Sequence, residues 1–250
     1  MLIKILKIRI LKFKNYFYFL LSNFLKYKVT LRKMPLKKDF WKIYKKYLIF
    51  CVMPYTLLNY PRLSTLYEIA THLERRKVMG SFVECGVLNG GSSGLMAKIA
   101  SNNRVRHIWL FDSWEGLPEP TAFDISYQGK TGKKGMLFAS IESVKELLFK
   151  KLKLDGRRIH LQRGWFKDTI PLCKKDIGEI ALLHLDCDWY ESLKFCLEEL
   201  FDCVVKGGFI VIDDYGHWEG CKKAVDEFIE SRKLHIELVK IDYTGVYFQK

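Results

Sequence analysis

From residue 81 onward the chain is organised by five short apolar runs, each closing on or near an acid or a glycine and each followed by a helical pattern. They are SFVECGV (81–87), HIWLFD (107–112), RIHLQ (158–162), EIALLHLD (179–186) and GFIVIDD (208–214). Runs that are apolar on both faces, separated by amphipathic helices, make a mostly parallel sheet covered on both sides. Helices are expected near 63–76, 92–100, 141–151, 168–173, 191–205 and 221–231. Two further runs, HIELVKI (235–241) and GVYFQK (245–250), are joined only by Asp242, Tyr243 and Thr244. That connection is too tight for a parallel crossover, so the last two strands are expected to be antiparallel. The expected fold is α/β: a mostly parallel seven-stranded sheet with a C-terminal antiparallel hairpin and helices on both faces.

In an open parallel sheet, ligands sit at the carboxyl rim of the strands. The strand endings therefore supply a list of candidate site residues: Glu84, Asp112, Gly164, Asp186, Asp188, Asp213 and Asp214. Clustered carboxylates repel one another unless something positive lies among them. Asp186 and Asp188 close one run, and Asp213 and Asp214 close the next. On neighbouring strand tips these would form a hard-oxygen site suited to Mg²⁺ or Mn²⁺. Such an ion lowers the pKa of a bound hydroxyl and orients it, and a further carboxylate takes the proton.

The first crossing, VECGVLNGGSSG (83–94), lacks the G-x-G-x-x-G spacing of dinucleotide folds. Gly86, Gly90 and Gly91 would let the backbone pass close to a ligand, and Ser92 opens the helix that follows. An acid before the glycines, Glu84, suits a cationic ligand end and repels phosphate. Asp112 follows 28 residues later, where an acid commonly binds ribose hydroxyls. An adenosine-containing cofactor with a positive end fits the pair.

Charge is uneven along the chain. Residues 1–50 hold 14 Lys and Arg against one acid, Asp39, leaving 28 against 27 for the rest, so the body is close to neutral despite the formal +14 overall. A nucleic-acid enzyme spreads positive charge around its site, so nucleic acid is not the expected partner. Seven scattered cysteines without C-x-x-C read as buried free thiols of a reducing compartment. The longest uncharged run near the start, Asn15 to Leu25, is too short to span a bilayer, and no Ala precedes Ala70 to mark a signal cleavage site. Residues 1–28 read either as a basic amphipathic helix on an anionic membrane surface or as a helix packing on the body or a partner subunit. The expectation is a cytoplasmic protein, peripheral on the inner face of the membrane if the arm binds lipid. A homo-oligomer is compatible with the same arm. The division is an N-terminal helical arm over 1–54 and a catalytic domain over 55–250.

The motifs FVECGVLNGGSS, LFDSWEGLPEP, GWFKDTIP, LLHLDCDWYES, GGFIVIDDYG and TGVYFQK occur in that order. Together they resemble the macrocin O-methyltransferase (TylF-type) family of class I S-adenosylmethionine-dependent enzymes with a Rossmann-like sheet. The resemblance implies methyl transfer to sugar hydroxyls of natural products or glycans with Mg²⁺. It makes Asp186, Asp213 and Asp214 the metal ligands and Asp188 the general base. It puts Glu84 and the glycine loop, through Ser92, at the methionine end of the cofactor, Asp112 at the ribose, and Ser113, Gly164 and Trp165 around the adenine. Residues 113–134 fall where the family carries a lid. His184, Cys187 and Trp189 depart from the family pattern on the acceptor side, which leaves the acceptor open.

Two rival readings come from other classes. Gly90-Gly91-Ser92-Ser93-Gly94 also fits G-x-S-x-G, the nucleophile elbow of α/β-hydrolases. Against it, Val87, Leu88 and Asn89 separate the serine from the strand end. The other rival is a non-catalytic membrane-associated scaffold, which the acids at every expected site position disfavour.

Overall fold

The computed structural model describes residues 40–101 and 105–250. Segment 1–28, read either as a membrane-surface helix or as a packing helix, lies outside them. Among the described residues no helix is long and apolar enough to cross a membrane.

Seven strands form one sheet: β1 (Ser81–Cys85), β2 (Ile108–Asp112), β3 (Ile159–Arg163), β4 (Ile180–Leu185), β5 (Val204–Ile212), β6 (Val239–Lys240) and β7 (Val246–Gln249). Their order is β3-β2-β1-β4-β5-β7-β6. The first five are parallel, while β7 pairs antiparallel with both β5 and β6. The helices are α1 (Phe40–Val52), α2 (Tyr60–Arg76), α3 (Gly91–Ala100), α4 (Ile141–Lys145, continued by a π-helical turn to Lys151), α5 (Phe166–Ile177), α6 (Tyr190–Leu200) and α7 (Glu219–Ser231).

The period-2 alternation of the strands sends side chains into two separate cores. Phe82, Ile108, Leu110 and Leu182 face the layer made by α1 to α4. Val83, Trp109, Phe111 and Leu183 face the layer made by α5 to α7. Each strand of the pair β1 and β4 is buried along its whole length, as a central parallel strand must be. Leu48, Ile49, Val52 and Met53 belong to the first core, so the last part of the segment expected as a separate arm is built into the body.

Helix α2 starts where Asn59 Oδ1 accepts the Arg62 backbone N–H at 3.1 Å, with Pro61 in the first turn. It stops at Lys77, whose left-handed φ of 55° closes the C-terminus. This cap fixes where Arg62 leaves the helix. At the other end of the chain, β6 has two residues instead of the expected seven. Leu234, Ile236 and Leu238 pack against the second core instead of pairing.

Candidate active site

A cavity of about 330 Å³ opens at the carboxyl rim of β1, β2, β4 and β5. Gly86, Ser92, Asp112, Ser113, Gly164, Trp165, Asp186, Asp188, Asp213 and Asp214 all lie in its wall. The strand tips are locked to each other: Asp186 N donates to Cys85 O at 2.9 Å and Asp213 N to Leu185 O at 3.0 Å. Gly86 sits where any side chain would collide, since a Cβ there would lie 1.8 Å from the Asp186 carbonyl oxygen.

At the β2 end, Asp112 is the last residue of its strand. Its Oδ2 accepts from Val87 N at 2.8 Å and Leu88 N at 2.9 Å, and its Oδ1 from Trp114 N at 2.7 Å. The carboxylate thus shapes the β1–α3 loop and leaves a lone pair on Oδ1 for a hydroxyl donor. Burial raises its pKa against the pull of those three donors. Gly164, with φ of 147°, carries the chain past Asp112 and donates its N–H to Asp112 O at 3.0 Å.

At the β4 and β5 end, carboxylate oxygens of Asp186, Asp188 and Asp214 lie within 4.8 Å of one another. Burial first, and the neighbouring acids second, push Asp186 and Asp214 well above the ordinary carboxylate range. Burial likewise raises Asp188 to about 7, opposed by the hydrogen bond from Trp218. The three carboxylates are short of positive charge, and their donor set is all oxygen, which fits a hard divalent cation.

Asp213 is placed differently from the sequence expectation. It does not join the other three but forms an ion pair with Arg62. Arg62 reaches across from α2, and its Nε lies 3.1 Å from Asp242 Oδ2, off the line of its N–H, so that contact is an ion pair without a hydrogen bond. Burial opposes the charge on Arg62, yet Asp213, Asp242, Asp214 and Asp186 outweigh it and hold the guanidinium protonated. Nothing in the sequence pointed to Arg62, because a lone arginine at a helix start carries no motif.

Glu84, Gly90 and Gly91 are absent from the cavity wall. β1 runs on to Cys85, so Glu84 falls inside the strand and faces α3 instead of the rim. It is fully buried, accepting a hydrogen bond from Ser93 Oγ, with Oε1 2.8 Å from His184 Nδ1. Gly91 serves packing: a Cβ there would meet Val52 O at 2.8 Å. Gly90 turns the chain into α3 with φ of 84°.

The segment 113–140 contributes Leu117, Pro118, Met136 and Leu137 to the cavity wall. It is pinned by Asp124, which is buried and accepts from Tyr190 N at 2.8 Å and Thr121 N at 2.6 Å. Tyr127 N donates to His217 O at 2.9 Å. His217, Trp218 and Tyr243 complete the wall on the acid side.

This strand order and a rim cavity between Asp112 and an acid cluster define a class I methyltransferase. The profile described as macrocin-O-methyltransferase (TylF) matches residues 49–250. The demethyldecarbamoylnovobiocin O-methyltransferase of Streptomyces niveus is 34% identical over 206 residues, covering 78% of this chain and 76% of that one. A Streptomyces olivaceus enzyme, 8-demethyl-8-(2,3-dimethoxy-alpha-L-rhamnosyl)-tetracenomycin-C 4'-O-methyltransferase, is 32% identical over 200 residues, covering 78% and 75%. The solved structure of the O-methyltransferase NovP superposes with a TM-score of 0.71 at 33% identity, covering 78% of this chain and 82% of that one. The chain belongs to the macrocin O-methyltransferase (TylF) family of S-adenosylmethionine-dependent O-methyltransferases. That membership removes the hydrolase reading. Ser92 lies in the first turn of α3, beyond the loop that follows β1, and not at a strand-end elbow.

Proposed function

We propose that the protein transfers a methyl group from S-adenosylmethionine to a sugar hydroxyl of a natural product, glycolipid or glycan, with a divalent cation, Mg²⁺, held by the acid cluster. The convergence of Asp186, Asp188 and Asp214 in a cavity that also holds Asp112 carries this reading. By name, two relatives act on demethyldecarbamoylnovobiocin and on a rhamnosyl-bearing tetracenomycin C, and the second supports a glycosylated acceptor.

Asp112 would take the ribose hydroxyls, with Ser113, Gly164 and Trp165 around the adenine. The Gly86 backbone and Ser92 would run beside the methionine portion. Glu84 supports this end from behind, through Ser93 and His184. Asp186 and Asp214 would hold the cation, joined by Asp213 once it leaves Arg62. The ion supplies a fixed positive charge that orients the acceptor oxygen and eases its ionisation.

Asp188, steadied by the Trp218 indole, accepts the acceptor hydroxyl proton. The oxygen then forms a bond to the methyl carbon as the carbon–sulfur bond breaks, leaving S-adenosylhomocysteine. Positioning and fixed charge account for most of the rate. The wall segment from Leu117 to Leu137 limits access of water. Radiolabelled methyl transfer onto a panel of nucleotide sugars and glycosides, with and without EDTA, tests the proposal. EDTA-sensitive labelling of a sugar oxygen is expected. Undiminished transfer in EDTA would remove the cation.

A further inference from the structure

We propose that Arg62 is a built-in counter-ion for the acid cluster, which holds Asp213 in an ion pair while the cation is absent and competes with the cation for it. The inference rests on the cation-binding reading of the site.

Charge balance motivates it. The cavity wall contains Asp112, Asp186, Asp188, Asp213 and Asp214, and among the described residues Arg62 is the one Lys or Arg in that wall. Four of these acids sit on two adjacent strand tips, an arrangement that is repulsive without a cation. Arg62 neutralises one of them from a nearly closed position. Its side chain is 12% exposed and that of Asp213 6%.

The geometry makes Asp213 the exchangeable partner of Arg62 and Asp242 the fixed one. Asp242 Oδ1 accepts from Thr244 N at 2.9 Å and Gly245 N at 2.8 Å, and Oδ2 accepts from Asn59 Nδ2 at 2.5 Å. Asn59 in turn caps α2 through the Arg62 backbone N–H. Arg62 is therefore anchored from both sides, to the start of α2 and to the β6–β7 turn. Asp213 has only its backbone fixed, by the bond from its N–H to Leu185 O, and rotation about its side-chain bonds can carry the carboxylate toward Asp214 and Asp186. Arg62 and the cation want the same carboxylate, and the positive guanidinium also repels the ion directly.

The test is isothermal titration of the full-length protein with Mg²⁺, and separately with Mn²⁺, comparing wild type with Arg62→Gln and Arg62→Lys. Thermal unfolding in EDTA runs alongside. Arg62→Gln is expected to bind the cation about tenfold more tightly or better, given the size of a unit charge a few ångströms away at an effective dielectric near 20, and to melt earlier than wild type in EDTA. Arg62→Lys keeps the charge with one-point contact and is expected to fall between. If Arg62→Gln does not fold, Arg62→Lys in the Asp213→Asn background decides: the lysine substitution should then leave cation affinity unchanged, because the contested carboxylate is gone. Equal or weaker binding by a folded Arg62→Gln, or an undiminished lysine effect without Asp213, would overturn the inference while the cation site stands. Wild type that takes up neither ion would remove the cation site and this inference together.

Discussion

Trp218 Nε1 donates a hydrogen bond to Asp188 Oδ1 at 3.1 Å, and Asp188 keeps a left-handed backbone with φ of 59°. A non-glycine residue in that region costs about 1–3 kcal/mol and persists only where its surroundings impose it. Here the imposing features are the tip of β4, which ends at Leu185, and the start of α6 at Tyr190. The bend turns the Asp188 carboxylate toward Asp186 and Asp214.

Asp188→Asn keeps the shape and removes the proton acceptor. Its turnover should fall by about 10² to 10⁴, while calorimetric binding of S-adenosylmethionine stays within a few-fold of wild type. Turnover close to wild type would take the base role from Asp188. Trp218→Phe loses the indole donor together with part of a buried ring and should be milder in the same assay.

Gly86→Ala places a methyl group 1.8 Å from the Asp186 carbonyl oxygen, at a φ of 93°. No side-chain motion relieves a backbone clash, so the loss of stability should exceed about 3 kcal/mol. Urea unfolding of the purified variant, or its failure to accumulate as soluble protein, is the readout. A variant as stable as wild type would mean that the β1 and β4 tips are farther apart than described.

The Glu84–His184 contact lies between two fully buried side chains on adjacent strands. His184→Phe leaves the Glu84 carboxylate with Ser93 as its remaining partner, which should cost about 2–4 kcal/mol in denaturant unfolding. Because Glu84 sits behind the cavity wall, the folded fraction should bind S-adenosylmethionine with little change. A large loss of cofactor affinity at unchanged stability would instead put Glu84 in direct contact with the ligand.

Without a cation, the acid cluster makes stability depend on pH. Unfolded aspartates titrate near 3.8, whereas folded Asp186 and Asp214 titrate well above that and Asp188 at about 7. Between the unfolded value and each folded one the folded protein holds more protons than the unfolded chain, so stability falls as pH rises above about 4, with the Asp188 share complete above about 7. The penalty is absent below the unfolded value and complete above the folded one. Urea unfolding in EDTA at pH 5 and pH 8 should show a larger drop for wild type than for Asp214→Asn. Equal drops would show that Asp214 is already compensated.

Much of this was legible in the sequence for a simple physical reason. Runs such as Ile180–Leu185 are apolar on both faces and so announce central parallel strands, and β4 and β5 then had to bring Asp186 and Asp214 together. The reading failed where tertiary contacts decide. Glu84 was expected at the rim because it is an acid just before the glycine loop, but strand pairing runs through it to Cys85 and its side chain is buried against Ser93 and His184. Asp213 was grouped with its three neighbours because strand-end spacing cannot reveal an arginine arriving from α2. The run 235–241 alternates like a strand, yet only Val239–Lys240 pairs, since its apolar side chains find the second core instead.

The proposed chemistry depends on a divalent cation among the β4 and β5 tips. Crystals grown with S-adenosylhomocysteine and soaked in MnCl₂ test it through anomalous scattering. A peak bonded to carboxylate oxygens of Asp186 and Asp214 and facing Asp188 is expected. No anomalous peak at the acid cluster, with those carboxylates contacting only water and Arg62, would contradict it.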